Sequence, residues 1–328
     1  MRHVPVLLQE VLEALNLEAG KNIIDCTLGD AGHAEKILEL TSPDGKLLGI
    51  DADAEAILRT KQFLCKFDER VVFARDNFEN LRNIVKENKF DNVDGILMDY
   101  GWSSPQFEER GRGFSFLKTD EPLDMRYDTY LKCMHEAVSP PLTPDGRPIY
   151  GPCSAAELID HKDVEGLSEM FRKYGEENLS KEIAEAIVEK RQAFPIETVG
   201  DLVDVILDVY RKKLKIPTES GQAEQRIPWV GGLHPATKVF QALRIAVNDE
   251  LGVIERVLPQ AIEVLKSGGR LAVITFHSIE DSIVKHYFKS QNNKTIKIIT
   301  KKPVICSEEE REQNPRARSA KLRVIEKI

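Results

Sequence analysis

Four short apolar runs, each followed by a stretch of helical periodicity except the last, fill the first hundred residues. This alternation constrains the fold more than any other feature of the chain, because it is the pattern of parallel β/α units. Asn22-Ile23-Ile24-Asp25-Cys26-Thr27 reads as a strand, followed by a turn and a helix over 34–40. Lys46-Leu47-Leu48-Gly49-Ile50-Asp51 reads as a second strand, with a helix near 54–64. Val71-Val72-Phe73-Ala74 gives a third, with a helix near 79–87, and Val93-Asp94-Gly95-Ile96-Leu97-Met98-Asp99 gives a fourth. Nearly continuous apolar strands are expected of a sheet covered on both faces.

The alternation then stops. Residues 101–128 read as a long loop rich in Gly, Ser, Pro and Phe, and 130–151, with four prolines, as irregular. Residues 154–213 are helical in pattern: Ser154 is a candidate cap, Gly175 a candidate stop, and Pro195 separates two helices. Ile183, Ala184, Ile187 and Val188 share one helical face, as core residues do. After a loop-like 216–233, a helical pattern runs from His234 to Lys266, with an expected break at Pro259 and a stop at Ser267-Gly268-Gly269. The β rhythm resumes at 270–276, a helix is expected near 280–289, and two strands near 295–300 and 322–326 have no helical pattern between them. The economical architecture is one α/β sheet interrupted by a helical insertion, since independent domains would leave the last three strands without their sheet.

At 328 residues the chain is long enough for about two domains. Its longest stretch without Asp, Glu, Lys or Arg is 227–237, too short for a membrane span, which needs about 18 apolar residues. Glu10 arrives too early for a secretory leader. Five cysteines form no C-x-x-C pair, which argues against a disulfide framework and a zinc site and for a soluble protein of a reducing, cytoplasmic compartment. The net charge of −8 hides an asymmetry: 285–328 holds twelve Lys+Arg and five Asp+Glu. A cationic end on an acidic body fits a polyanionic partner, although a charged face is commonly just solvated.

Asp25-Cys26-Thr27-Leu28-Gly29-Asp30-Ala31-Gly32-His33 joins the first strand to its helix. Gly29 and Gly32 permit close approach to a ligand, and a helix N-terminus favours a carboxylate or phosphate. The stretch is not G-x-G-x-x-G, so a dinucleotide site is weakly supported. Asp51, ending the second strand, is placed to accept both ribose hydroxyls of an adenosine cofactor. Either feature alone reads as a tight turn or a solvent-facing acid; together, in β/α register, they favour a nucleoside cofactor. Between NAD and S-adenosylmethionine (SAM), the paired last strands favour SAM by analogy of fold.

The most informative stretch is Asp99-Tyr100-Gly101-Trp102-Ser103-Ser104-Pro105-Gln106, at the carboxyl end of the fourth strand, where open α/β sheets bind ligands. An acid followed by small polar residues, Pro and an aromatic resembles the D-P-P-Y type loop of enzymes that methylate exocyclic amines. The residue types suit the chemistry. The lone pair of cytosine N4 is delocalised into its ring, and a carboxylate accepting an N4–H bond localises it and stabilises the positive charge that develops on nitrogen. Aromatic side chains can stack on the extruded base.

Further blocks extend the resemblance: His3-Val4-Pro5-Val6-Leu7-Leu8, Arg112-Gly113-Phe114-Ser115-Phe116, Pro122-Leu123-Asp124-Met125-Arg126, Tyr174-Gly175-Glu176-Glu177, His234-Pro235-Ala236-Thr237, Phe240-Gln241-Ala242-Leu243-Arg244, Val247-Asn248-Asp249-Glu250-Leu251, Phe276-His277-Ser278-Ile279-Glu280-Asp281, and the tail from Asn314 to Arg323. In this order, and from end to end, they resemble the bacterial 16S ribosomal RNA cytosine-N4 methyltransferases. The resemblance implies a class I (Rossmann-like) SAM-methyltransferase sheet with an inserted all-helical domain. The core would take 1–128 and 234–328, and the substrate-recognition insertion 129–233. It implies SAM as cofactor, 16S ribosomal RNA or the small ribosomal subunit as partner, no metal and no membrane, and it allows a homodimer. By position, the cofactor residues are Ala31, Gly32, His33, Asp51, Phe78, Asp99 and Gln106, and Asp99 is also the catalytic residue. The chain departs from the pattern at Ala31, where a glycine is usual, and at Tyr100 and Trp102, where smaller apolar residues are usual; its 128–154 segment is longer than expected.

Those departures leave a second reading, a SAM-binding, RNA-associated protein without catalysis, and the shared amine loop leaves a third, a DNA amine methyltransferase. Individual residues have alternatives too. His33 touches the cofactor or packs at a helix start, and His277 lines the pocket or bonds a loop. Phe114 and Phe116 reach the base or anchor the loop; His234 is structural. Arg316, Arg318, Lys321 and Arg323 contact phosphate or lie on an exposed strand face.

Overall fold

The computed structural model describes residues 4–101, 111–127, 152–215 and 232–328. The chain divides into two compact units, Met1–Trp102 with Leu251–Ile328, and Ser103–Glu250.

The first unit is built on a seven-stranded sheet of order β3-β2-β1-β4-β5-β7-β6. β1 (Asn22–Asp25), β2 (Leu47–Asp51), β3 (Val71–Arg75), β4 (Val93–Asp99) and β5 (Leu265–Thr275) pair in parallel. β7 (Lys321–Lys327) runs antiparallel to both β5 and β6 (Ile296–Ile298). Strand side chains alternate between two covered faces, as the pleat requires. Ile24, Leu48, Ile96 and Leu271 share one core with Leu81, Ile254, Leu258 and Phe288. Ile23, Leu47, Leu97 and Ala272 share the other with Val11, Ile37, Leu38 and Ile57. β2 and β4 lie on opposite sides of β1, so the order of the sheet reverses between β1 and β4 and opens a crevice at their carboxyl ends.

The second unit packs the helices Ala155–His161, Val164–Gly175, Ser180–Ala193, Val199–Leu214 and Thr237–Asn248 around one apolar core. Ser154 and Thr198 start two of them with capping boxes, each side chain and its N3 acid satisfying the other's backbone N–H. This unit is wider than the 129–233 insertion suggested by the sequence. Leu123, Met125, Val239, Phe240 and Leu243 belong to its core, because periodicity reveals a buried face but not the partner that buries it.

Three local expectations are corrected. The helical pattern after His234 breaks at Asp249, in a left-handed conformation at φ 48°, and not at Pro259, which lies inside the helix Glu250–Val264. The Asn248 amide explains the break: it donates to the Arg244 and Met125 carbonyls and accepts the Tyr127 N–H, and Arg244 clasps Glu250 at 2.8 and 3.1 Å. Ser267-Gly268-Gly269 does not end a helix but lies within the bounds of β5, where the register against β4 jumps from Val93↔Leu265 to Gly95↔Arg270. Between β6 and β7 the chain forms a helix, Glu308–Gln313, and a 3-10 turn, Pro315–Ser319. Glu-Glu-Glu-Arg-Glu-Gln has no apolar residue to betray its period; Ser307 starts it by accepting the Glu310 N–H.

No helix among the described residues is long and apolar enough to cross a membrane. Gln106 and Trp102, the 130–151 segment and 216–231 lie outside the described residues.

Candidate active site

Three of the first four strands end in aspartate. Asp25, Asp51 and Asp99 close β1, β2 and β4, so parallel pairing brings three carboxylates to one edge of the sheet, on both sides of the reversal point. Burial holds all three well above the usual carboxylate range. Asp25, 1% exposed, is pushed up to about 7 by loss of water, with the charges of Asp99 and Asp51 adding to the effect. Asp51 and Asp99 are each raised to about 6, again by burial first. For Asp99 the Gly101 N–H opposes the rise and the charge of Glu280 adds to it, while Arg316 opposes it. Such neighbouring acids with raised proton affinity mark a site built to meet positive charge.

The backbone fixes these carboxylates in place. Asp51 Oδ2 accepts the Gly29 N–H and Oδ1 the Asp53 N–H, both at 2.9 Å, which ties the turn after β1 to the end of β2. Asp25 Oδ1 accepts the Thr27 N–H at 3.1 Å, and Thr27 Oγ1 accepts the Asp99 N–H at 2.9 Å. Asp99 Oδ1 accepts the Gly101 N–H at 3.0 Å; Oδ2 has no hydrogen bond among the described residues. A side chain at position 101 would meet Asp99 Oδ1 at 3.0 Å and the Phe276 ring at 3.3 Å, so glycine is what lets the chain turn over this carboxylate.

The turn preceding the helix Gly32–Leu40 is left-handed twice, at Gly29 (φ 49°) and Ala31 (φ 59°). Ala31 is fully buried, with its methyl group packed in the core with Leu28, Val6 and Ala317. The extra carbon relative to glycine is therefore taken up by the protein's own packing, at a backbone cost of about 1–2 kcal/mol. Gly32 lies under Pro5, whose ring would approach an added Cβ to 3.1 Å. His33 is buried, and its Nε2 donates to the Val6 carbonyl at 3.0 Å; burial lowers its pKa to about 4, so the ring is neutral. The turn is thus roofed by the N-terminal segment.

Phe78 follows β3 in a short 3-10 turn and is buried against Tyr100, ring centroids 5.9 Å apart. Tyr100 itself points into the core, with its hydroxyl on Met98 Sδ at 3.2 Å, so this departure from the family pattern is a packing change. His277 caps the helix Ser278–Gln291 in a box with Glu280, whose Oε2 accepts the Phe276 and His277 N–H groups. In the second unit Phe114 stacks on Tyr127 at 5.7 Å and Phe116 on His234 at 4.5 Å, which gives both phenylalanines an anchoring role. Arg323 is withdrawn from any phosphate: it is buried and clamped to Asp281 at 2.6 and 3.0 Å.

Asp51, Asp99 and the Ala31–His33 turn therefore share one sheet edge, with Phe78 behind them in the core. Asp25 and Thr27 are additions that the sequence did not single out. The signal was present in Asp25, which ends an apolar run as Asp51 and Asp99 do.

Comparison with known proteins adds the lineage. The model of the MraW methylase family matches residues 1–138 and 150–328. A protein of Clostridioides difficile (strain 630) named Ribosomal RNA small subunit methyltransferase H is 40% identical over 99% of both chains. A Dictyoglomus thermophilum protein of the same name is 42% identical over 99% of this chain and 96% of its own.

Proposed function

Because the chain belongs to the MraW methylase family, we propose that it is a SAM-dependent methyltransferase acting on the exocyclic N4 of a cytosine in small-subunit ribosomal RNA. The observation that carries this reading is Asp99: a carboxylate at the reversal point of the sheet, one oxygen held by the Gly101 N–H and the other open. The name of the relatives supports ribosomal RNA as substrate, and the amine chemistry of the Asp99 loop supports N4 as the acceptor.

The residues present fit the cofactor. Asp51 retains accepting capacity for ribose hydroxyls while its backbone bonds keep it oriented, and the left-handed Gly29 carries no side chain beside it. Asp51 and Asp99, with pKa values of about 6, are ionised at neutral pH and place negative charge at the edge where a cationic donor would sit. SAM, when bound, supplies a methyl group on a positively charged sulfur. Ala31, Gly32 and His33 shape the turn at its methionine end, Phe78 backs its adenine side, and Gln106 completes the set by position.

Ionised Asp99 accepts an N4–H of cytosine, which returns lone-pair density to nitrogen and stabilises the charge that grows there. Its raised pKa then suits it to take the proton that the methylated amine sheds. Holding amine and donor in line contributes on the order of 7–11 kcal/mol to lowering the barrier.

The test is labelled-methyl transfer from SAM to small ribosomal subunits taken from cells lacking this protein, with DNA as the competing acceptor and the modified base identified by mass spectrometry. N4-methylcytosine in RNA is expected, abolished by Asp99→Ala with SAM titration and melting temperature read beside it. SAM binding without transfer, or label in DNA alone, would overturn the reading.

A further inference from the structure

β7 enters the sheet at the edge where the three aspartates end. It runs antiparallel to β5, with Lys321 opposite Thr275 and Leu322 opposite Ile274, and Ile274 is in turn the β5 partner of Asp99. The 3-10 turn Pro315–Ser319 that feeds β7 therefore lies at this edge, on the β5 side of Asp99. Gly29–His33, Asp51 and Phe78 all lie on the β1–β3 side. A donor held over β1–β3 and an amine held at Asp99 leave the β5–β7 side to the nucleic acid strand.

The turn is a fixed platform. Ala317 is fully buried, Asn314 Nδ2 donates to the Val4 carbonyl, and Glu310 Oε1 accepts the Leu7 N–H at 2.7 Å. Arg316 rises from this platform half-buried, with no hydrogen bond or ion pair among the described residues. Arg323, on the strand that follows, is fully spent on Asp281. A guanidinium offers five donors in a planar fork matched to phosphate oxygens, and those of Arg316 are left available to a ligand that brings the acceptors. An RNA strand approaching three carboxylates also needs a cation at that edge to meet its backbone.

We propose that Arg316 grips a backbone phosphate of the RNA strand that carries the target base, holding that base's sugar-phosphate against the sheet edge while the base reaches Asp99. The proposal rests on the methyltransferase reading above and names the substrate contact on its β5–β7 side. An arginine at that point couples two requirements of base extrusion: the strand is pinned by its phosphate, and the unstacked base is left free to turn toward the donor.

The experiment compares wild type, Arg316→Gln and Arg316→Lys, each checked by melting temperature. Binding to small ribosomal subunits from cells lacking the protein is followed from low to high salt, and SAM affinity is measured by calorimetry. Loss of one phosphate contact from a single strand lowers the slope of log K against log salt by about 0.7. For Arg316→Gln that drop is expected, together with a KM for subunits raised about tenfold, kcat within about threefold, and unchanged SAM affinity, the pattern of binding energy shared by ground and transition states. Arg316→Lys keeps the charge and is expected to retain the wild-type slope, which also covers the case in which the Gln variant fails to fold. An unchanged slope with the acid limb of the pH–rate profile moved upward would overturn the proposal and make Arg316 a counter-charge of Asp99. An unchanged slope with weakened SAM binding would overturn it in favour of the cofactor's carboxylate. Failure of the wild type to methylate RNA strikes the methyltransferase reading instead, since the salt slope is read without turnover.

Discussion

The hydroxyl of Thr27, just past the end of β1, accepts the backbone N–H of Asp99, the last residue of β4, at 2.9 Å. The Thr27 backbone N–H donates to Asp25 Oδ1 at 3.1 Å, so one small residue stitches together the two strands that flank the reversal point of the sheet. Asp99 owes its position to this stitch on one side and to the Gly101 N–H on the other.

Thr27→Val keeps the shape of the side chain and removes the oxygen. The Asp99 N–H then loses its acceptor, a change worth about 1–3 kcal/mol when the group is out of water. A fall in kcat of about tenfold is expected with little change in KM for SAM, because the carboxylate, and not the cofactor turn, loses its support. Thr27→Ser restores the oxygen and should recover most of the loss. If Ser and Val behave alike in steady-state assays, the hydroxyl does not position Asp99.

The proposed role of Asp99 requires the ionised form, and its pKa of about 6 sets the pH window. Turnover at saturating SAM should fall as pH drops through about 6 and level off above 7. Asp99→Asn cannot titrate or take the amine proton; its rate should be lower by roughly 10²–10³ and flat across that window. A wild-type profile without an acid limb would remove Asp99 from the chemistry.

Much of this edge was legible in the sequence because its logic is local. Short, nearly continuous apolar runs located the strands, and parallel order then forced Asp51 and Asp99 to the same edge. Asp25 obeys the same rule, but its cause, burial between two other charges, is a property of neighbours far apart in sequence. The same limit hid Arg323, which reads as a solvent-facing strand cation until Asp281, on the helix Ser278–Gln291, is brought beneath it. It also moved the helix break from Pro259 to Asp249. A proline announces itself in a sequence, whereas Asn248 terminates its helix through bonds to Tyr127 and Met125 that only the fold provides.

Asp25 and His33 pull the pH dependence of stability in opposite directions. Asp25 has a folded pKa near 7, above its unfolded value of 3.8, so its contribution is full below about 4 and is lost as pH rises through 7. His33 has a folded pKa near 4, below 6.5 unfolded, so its contribution is present above about 6.5 and is lost as pH falls through 4. Each span corresponds to about 3–4 kcal/mol. Asp25→Asn should gain stability relative to wild type between pH 5 and 8, and His33→Phe should gain on wild type as pH falls from 7 to 5. Urea midpoints at these pH values check both signs, and parallel curves for wild type and variants would contradict the burial of the two groups.

The Arg323–Asp281 pair offers a separation of stability from RNA binding. Both side chains are buried, the geometry is bidentate, and Lys321 stands 3.8 Å from the same carboxylate. Removing one partner of such a pair strands the other charge, which costs about 3–5 kcal/mol; Lys321 offsets part of this, so Arg323→Leu should sit near the lower end. Replacing both partners, as Asp281→Leu with Arg323→Leu, removes the stranded charge and should recover stability relative to the single variant. Neither change should alter the salt slope of subunit binding, since no phosphate reaches a guanidinium held under β7. A slope lowered by Arg323→Leu in protein that remains folded by melting temperature would return this arginine to the RNA-facing surface.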